Sequence, residues 1–171
     1  MMILETERLR LRTVEHNDAA FYLALVNTPG FLAFIGDRGI RTIEAAEKAI
    51  ADGPVAMQAA LGHSIWLVES KQDGQALGMS GLIKRDTLDH VDIGYAFLPE
   101  HWGKGYAYEA GAAVLDHARN AIGLARLLAI VSPGNAASIA LLEKLGLAFE
   151  KVVHLTPDDP GTNLYQIDFT N

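Results

Sequence analysis

The segment Asp92–Ala110 reads DIGYAFLPEHWGKGYAYEA, and its two halves differ in periodicity. The first half alternates in a β pattern up to Pro99, whereas helix-forming residues dominate from Tyr106 onward. A strand that turns into a helix presents unpaired backbone N–H groups at the positive end of a helix dipole, where phosphate oxygens bind well. The segment therefore predicts an anion-binding turn between a strand and a helix.

Two glycines and a lysine form this turn. Gly103 and Gly105 allow close approach of an anion, because they lack a Cβ and adopt positive φ at little cost, and Lys104 adds a mobile positive charge. The turn is not a P-loop, since Leu98 stands five residues before Gly103, and Tyr108 replaces the third glycine of a dinucleotide fingerprint. A tight turn that needs glycine only for its geometry is the alternative on local sequence.

The composition is that of a globular protein. The 171 residues are 50% hydrophobic and 20% charged, which suits a single domain spanning 1–171 with its own core. We expect no membrane span and no signal peptide, because no apolar run is long enough and the first residues lack a basic region before an apolar block. With no cysteine and no ligand-like spacing among the six histidines, we expect no metal. The cytoplasm is the predicted location.

The charge balance bears on the partners. The chain carries 14 basic and 21 acidic side chains, for a net charge of −7. This argues against a nucleic-acid binder, which needs a basic surface. It mildly favours a cationic acceptor such as an amine or a basic peptide, although moderate acidity also serves solubility alone.

Hydrophobic periodicity and turn signals predict a mixed α/β (α+β) fold, in which a mostly antiparallel central sheet is flanked by helices. A crossover through the helix after the glycine turn should make the next strand parallel to the strand before it. The arginines at positions 8, 10 and 12 should share one solvated strand face. We expect Pro29 to stop the first helix and residues 52–54 to interrupt the second. The predicted strands are 4–12, 63–69, 75–84, 91–98, 126–131, 147–155 and 163–169, and the predicted helices are 18–27, 42–61, 106–120 and 135–145.

Three segments resemble the GCN5-related N-acetyltransferases (GNAT), in the form of the ribosomal-protein N-terminal acetyltransferase (RimJ/RimL-like) branch. The family pattern E-I-G-Y-x-L-x-P-x-x-W-G-K-G-Y-A-T-E-A is matched by 92–110, except that Asp92 replaces Glu and Tyr108 replaces Thr. Residues 135–146, NAASIALLEKLG, resemble its N-x-x-S-x-x-L-L-E-K-L-G segment, and residues 6–12, TERLRLR, resemble its first strand. The resemblance covers most of residues 4–150.

The resemblance implies acetyl transfer from acetyl-CoA to a primary amine, by direct attack in a ternary complex. The acceptor would be a small amine or the α-amine of a protein or peptide, bound in part by residues 29–41 and 156–163. Phe31 and Phe34 either line this acceptor site or fill the core. The protein would be a monomer or a homodimer.

The resemblance also implies the residues that hold the cofactor. The oxyanion would meet a backbone amide near Phe97 or Leu98, at the strand end that pairs with pantetheine. Asn135 would bind the pantetheine, cap its own helix, or do both. The diphosphate would lie on the amides of Trp102, Gly103, Lys104, Gly105, Tyr106, Ala107 and Tyr108.

The catalytic base and acid are predicted less directly. Asp92 stands in the place of the family's strand glutamate and is the first candidate for the base, followed by Glu69 and His63. The tyrosine that commonly acts as the acid in the family would fall at Leu142, which has no proton to give. Ser138 matches the serine of this branch, and we expect it to orient or relay a proton to the departing sulfur.

Two other classes of function stay open on the sequence. One is a catalytically inactive module that senses acyl-CoA, which the missing tyrosine and the shortened carboxylate would fit. The other is an enzyme acting on nucleotide phosphates through the glycine turn, which would need metal ligands that the sequence lacks.

Overall fold

The computed structural model describes residues 1–169 of the 171 and contains one eight-stranded sheet of order β1-β2-β3-β4-β5-β6-β8-β7. Neighbouring strands are antiparallel except for β5 and β6, which are parallel. The predicted mixed fold and its mostly antiparallel sheet are confirmed. The strands are β1 (Met2–Glu5), β2 (Leu9–Thr13), β3 (Ile65–Ser70), β4 (Ala76–Ile83), β5 (Asp92–Phe97), β6 (Arg126–Val131), β7 (Ala148–Val153) and β8 (Thr162–Asp168).

Six α-helices cover the sheet within the described residues. Between α3 and α4, a π-helical turn at Ala51–Val55 contains Pro54, so the chain stays helical at the predicted interruption. A second π-helical turn follows α5 and ends at Gly123, which has φ +81°. No helix in this part of the chain is long and apolar enough to cross a bilayer. The helices are α1 (Ala19–Val26), α2 (Pro29–Phe34), α3 (Ile43–Ile50), α4 (Ala56–Leu61), α5 (Tyr106–His117) and α6 (Ala136–Lys144).

The prediction of one strand over 4–12 is wrong. The chain reverses between β1 and β2, and the two strands pair antiparallel. Arg8 therefore lies in a turn, and Arg12 forms ion pairs with Asp18 at 2.9 Å and Glu69 at 3.1 Å. The three arginines do not share a solvated face, because the turn places Arg8 apart and two carboxylates hold Arg12.

Pro29 also acts differently from the prediction. It does not merely stop α1 but opens α2, where the missing N–H of proline costs nothing in the first turn. The Thr28 side chain caps this short helix by accepting from the Phe31 amide.

The two faces of the sheet carry separate hydrophobic cores. On one face α5 and α6 pack over buried strand residues such as Trp66 and Leu127, and Leu142 is the buried residue of α6. On the other, α1 and α3 pack over Leu67 and Met79. Alternate residues of β5 reach alternate cores, so that Asp92 and Tyr95 extend from opposite faces of the same strand.

Candidate active site

The parallel strands β5 and β6 separate soon after they meet. Their register consists of one pair, Asp92 with Leu128, beside a bond from the Leu128 amide to the Val91 carbonyl at 2.9 Å. Beyond it β5 continues against β4, while β6 continues against β8 as far as Val131. A wedge-shaped gap therefore opens in the sheet toward the carboxyl ends of β5 and β6.

This gap lies within a cavity of about 1520 Å³. Ligand sites commonly measure about 300–1,000 Å³, so this cavity has room for two substrates at once. It extends from the glycine turn, past β5 and α6, to α2, α3 and the loop after β7. Phe31 and Phe34 both line it. Phe31 is also buried in one hydrophobic core, so this residue both lines the cavity and fills the core.

Free backbone donors occupy the glycine turn. The N–H groups from Gly103 to Tyr108 have no acceptor within residues 1–169, and the first amide bond of α5 runs from Glu109 to Gly105. Gly103 and Gly105 have φ of +75° and +81°, and a Cβ at Gly103 would meet nothing within 4 Å. The turn thus presents a row of donors to open space, in the arrangement that binds phosphate.

Two amides expected in the cofactor site are already bonded within the protein. The Leu98 N–H donates to Leu77 O at 3.1 Å, and the Trp102 N–H donates to Pro99 O at 3.1 Å. The side chain of Trp102 instead connects β5 to α2. Its Nε1–H donates to Phe97 O at 2.9 Å, and its ring lies against Gly30.

The amide of Phe97 faces the gap. The Leu98 N–H donates to Leu77 O, so the backbone N–H and C=O groups of Leu98 point toward β4. Those of Ala96 and Gly94, two and four residues earlier, point the same way. Those of Tyr95 and Phe97 consequently point the other way, toward the separated β6. Of the two amides expected to meet the oxyanion, that of Phe97 is the one left for a ligand.

Arg8 holds the glycine turn from outside. Its Nη1 donates to Lys104 O at 2.9 Å, its guanidinium lies 4.6 Å from the centre of the Tyr106 ring, and its Nε pairs with Glu109 Oε1 at 2.6 Å. Thr6 Oγ1 donates to the second oxygen of Glu109 at 2.5 Å. Burial raises the pKa of Glu109, but the bonds from Thr6 and Arg8 outweigh it and lower that pKa below its usual range. The β1–β2 turn and the glycine turn are thereby fixed to each other.

Asp92 is fully buried at the start of β5 and lines the cavity. Its Oδ1 accepts from Arg85 Nε at 3.0 Å, whereas its Oδ2 has no partner among the described residues. Burial raises the pKa of Asp92 to about 6, and the attraction of Arg85 offsets that rise only in part. A buried carboxylate with one oxygen that lacks a partner, in the wall of a cavity, is suited to accept a proton from a ligand through bridging water.

The other candidates for the base have different environments. Glu69 is ion-paired with Arg12, and the Nδ1 of buried His63 lies 3.0 Å from Leu82 O. Neither lines the cavity. No cluster of three His, Cys, Asp or Glu side chains that could hold a metal occurs within residues 1–169.

Ser138 meets a tyrosine that the sequence did not single out. Its Oγ lies 2.6 Å from the Tyr95 hydroxyl, and both residues line the cavity. Burial raises the pKa of Tyr95, with the bond to Ser138 opposing the rise in part, so the phenol stays protonated at neutral pH. Asn135 caps α6 by accepting from the Ser138 amide at 3.2 Å, which leaves its amide N–H₂ group for a ligand.

A second aromatic contact lies beyond the glycine turn. Lys144, in the last turn of α6, places its Nζ 4.1 Å from the centre of the Tyr108 ring, and both side chains line the cavity. The replacement of the family's Thr by Tyr108 thus adds an aromatic face next to the free amides.

Comparisons with known proteins agree with this geometry. The model of the family described as acetyltransferase (GNAT) domain matches residues 8–148. YoaA of Bacillus subtilis (strain 168), named an uncharacterized N-acetyltransferase, is 32% identical to the chain over 96% of each sequence. An acetyltransferase structure from Agrobacterium tumefaciens has a TM-score of 0.81 at 24% identity, covering 98% of this chain and 94% of that one. RimL, a ribosomal L7/L12 α-N-protein acetyltransferase solved with coenzyme A, has a TM-score of 0.82 at 16% identity, with 98% of each chain covered.

Proposed function

Because this chain belongs to the acetyltransferase (GNAT) family, we propose that it transfers an acetyl group from acetyl-CoA to a primary amine by direct attack in a ternary complex. The observation that carries the proposal is that two features share one cavity. One is the row of free backbone N–H groups at Gly103–Tyr108, and the other is the buried carboxylate of Asp92, one oxygen of which has no partner among the described residues. We assign the protein to the RimJ/RimL-like branch and its reaction to the cytoplasm.

The backbone would hold the cosubstrate along its whole length. The amides from Gly103 to Tyr108 bind the diphosphate, since RimL, which shares the fold, was solved with coenzyme A. The pantetheine enters the gap beside Tyr95 and Phe97, where Asn135 can donate to it from α6. The thioester would then lie beside the carboxyl end of β5, next to the Phe97 amide.

Asp92 would accept, through bridging water, the proton that the amine must lose, because this buried carboxylate stands at the opposite end of β5 from Phe97. An ordinary aspartate, with a pKa of about 3.9, is a weak base, whereas the raised pKa of Asp92 leaves it ionised at pH 7 and more basic. As the C–N bond forms, the carbonyl oxygen gains negative charge, and the Phe97 N–H stabilises it. The C–S bond then breaks.

Ser138 would relay a proton to the departing sulfur: the thiolate takes the serine proton as Ser138 Oγ takes the proton of Tyr95, and solvent then reprotonates the phenol. The buried Tyr95 phenol is the better donor of the pair and donates to Ser138 Oγ, which leaves the serine proton free to point at the thiolate. Tyr95 is the source of the relayed proton in this scheme, and it fills part of the role that Leu142 cannot.

The test is an initial-rate assay of thiol release from acetyl-CoA with a panel of primary amines, with the acetylated product identified by mass. We expect one thiol released per amine acetylated, and intersecting double-reciprocal lines, as direct attack requires both substrates together. Parallel lines would indicate an acetyl-enzyme and contradict direct attack. Coenzyme A binding without turnover of any amine would favour a catalytically inactive module that senses acyl-CoA.

A further inference from the structure

Helix α2 lies across the open ends of β5 and β6. On the β5 side, the indole Nε1–H of Trp102 donates to Phe97 O at 2.9 Å, and the indole ring is 3.2 Å from where a Cβ on Gly30 would stand. On the β6 side, Ser132 directly follows the strand, and its Oγ donates to Phe34 O at 2.8 Å. The indole thus binds the carbonyl of the residue whose N–H is assigned to the oxyanion, and α2 stands next to the place of acetyl transfer.

Three large apolar side chains are exposed at this place. Trp102 is 58% exposed, Phe34 43% and Ile35 49%, and all three line the cavity. Gly30 and Phe34 are four residues apart on α2 and share one of its faces, so Phe34 lies one helical turn from the indole that rests on Gly30. Exposed apolar surface that continues into a ligand cavity is typical of a site for an apolar group.

The carboxylates of the cavity are occupied or distant. Within residues 1–169, three of them line it. Asp52 pairs with Lys48, and Asp159 accepts from two backbone amides and the Thr162 hydroxyl. Asp92 is buried at the other end of β5. No free carboxylate therefore stands beside α2 to bind a second positive charge on an acceptor.

An arginine next to α2 acts in the same direction. The guanidinium of Arg38 lies 5.2 Å from the centre of the Phe31 ring, and its Nη1 donates to the neutral hydroxyl of Tyr22 at 3.2 Å. All three residues line the cavity, and no carboxylate in the described part of the chain pairs with Arg38. The net charge of −7 acts at long range, but this local positive charge repels an acceptor that carries more than one ammonium group.

We propose that the acceptor is a primary amine carried by a bulky apolar group, aromatic by preference, with no second positive charge. The amine reaches the thioester beside Phe97, and its apolar group packs against Trp102 and Phe34. An aromatic group gains most, since contact between rings adds to the burial of apolar area. A free arylalkylamine and the apolar first residue of a peptide share this chemistry. The inference rests on the proposed acetyl transfer and adds the chemical class of the acceptor.

The test uses two pairs of acceptors whose members differ by one phenyl group. One pair is phenethylamine and ethylamine, and the other is phenylalaninamide and alaninamide. kcat/KM is expressed per unprotonated amine, so that differences in amine pKa do not enter. We expect the phenyl member to exceed its partner by about 10- to 100-fold, the range for burying a group of this size against an aromatic ring, and spermidine to fall below phenethylamine. The pair that reacts faster identifies the source, a free amine or a peptide N-terminus.

The variant Phe34→Ala removes one wall of the proposed site. The bond from Ser132 remains, because it is made to the backbone carbonyl of Phe34. We expect the phenyl preference to fall by about 5- to 10-fold, while kcat/KM for ethylamine and alaninamide stays within about 2-fold of wild type. Phe149→Ala is the matched control and should keep the full preference, since Phe149 is 53% exposed on β7 and does not line the cavity.

A second readout does not depend on turnover. The chain has two tryptophans, of which Trp66 is fully buried and Trp102 is exposed. With coenzyme A already saturating, phenethylamine should move the tryptophan emission to shorter wavelength in a saturable way, because it shields Trp102 from water. Ethylamine should not, and Trp102→Phe should show no shift with either amine.

The outcomes separate this inference from the proposed function. If no amine of any kind is acetylated, the proposed acetyl transfer fails. If amines are acetylated but neither phenyl member exceeds its partner, or if spermidine exceeds phenethylamine, acetyl transfer stands and the apolar acceptor is rejected. A phenyl preference that is unchanged in Phe34→Ala would overturn the assignment to α2.

Discussion

Replacing Asp92 by Asn should make the protein more stable and less active. The pKa of Asp92 is about 6 in the folded protein, because burial disfavours the charged form, against 3.8 for an ordinary aspartate. The folded state therefore holds this proton more tightly than the unfolded state, and ionised Asp92 reduces stability as the pH rises from about 4 to about 6. A shift of about two pKa units corresponds to about 3 kcal/mol once the pH exceeds both values.

The magnitude depends on pH in a way that identifies its cause. At pH 7 the free energy of unfolding of Asp92→Asn should exceed that of the wild type by up to about 3 kcal/mol, falling to about 1.5 kcal/mol at pH 5. The asparagine carbonyl can still accept from Arg85, whose side chain is 32% exposed and keeps its charge hydrated. The usual cost of leaving a buried charge unpaired is therefore small here.

Urea unfolding at pH 7 and pH 5 measures this stability, with Asp89→Asn as the control for charge removal in the same loop, since Asp89 is exposed. The same preparations should show kcat lower by about 10²- to 10⁴-fold in Asp92→Asn, and loss of the limb in which wild-type kcat/KM rises with pH near 6. A variant that is less stable than the wild type at pH 7, or one that keeps this limb, would refute the reasoning.

Four further substitutions test the rest of the site. Arg8→Met should weaken coenzyme A binding by about 10-fold in calorimetry, since it releases the glycine turn, without changing KM for the amine; unchanged affinity would contradict its role. Tyr95→Phe and Ser138→Ala should each lower kcat with little effect on KM for acetyl-CoA, and the double variant should be no slower than the slower single one; additive losses would show that the two act separately. Gly105→Glu should abolish coenzyme A binding, whereas Gly74→Glu, at a similar positive φ in an open turn, should not; equal losses would point to backbone strain alone.

Short-range sequence signals were sufficient to predict the elements that form the free row of amides at Gly103–Tyr108. The alternation of β5 and the helix-forming residues of α5 are short-range signals, and glycines at positive φ mark the turn between them. The strands β3, β4 and β5 pair antiparallel in sequence order, as the predicted mostly antiparallel sheet requires, because residues 71–75 and 84–91 connect them without an intervening helix. The parallel pairing of β6 followed from the crossover rule.

Contacts between distant residues account for what the sequence did not predict. The turn at Thr6 and Arg8 contains no glycine or proline, and Glu109, about a hundred positions away in sequence, binds both side chains there. Tyr95 reads as one more core residue until α6 brings Ser138 to its hydroxyl. Arg85 reads as a charged loop residue, and only the folded loop reveals that it reaches Asp92.

The most direct test of the account is an amide NMR titration with coenzyme A, because the central claim concerns particular backbone N–H groups. We predict that the resonances of Gly103 through Tyr108 shift downfield and saturate together, as each amide gains a phosphate acceptor, while the already bonded amides of Leu98 and Trp102 move less. Saturable binding that leaves the Gly103–Tyr108 amides unmoved and shifts others instead would contradict the account.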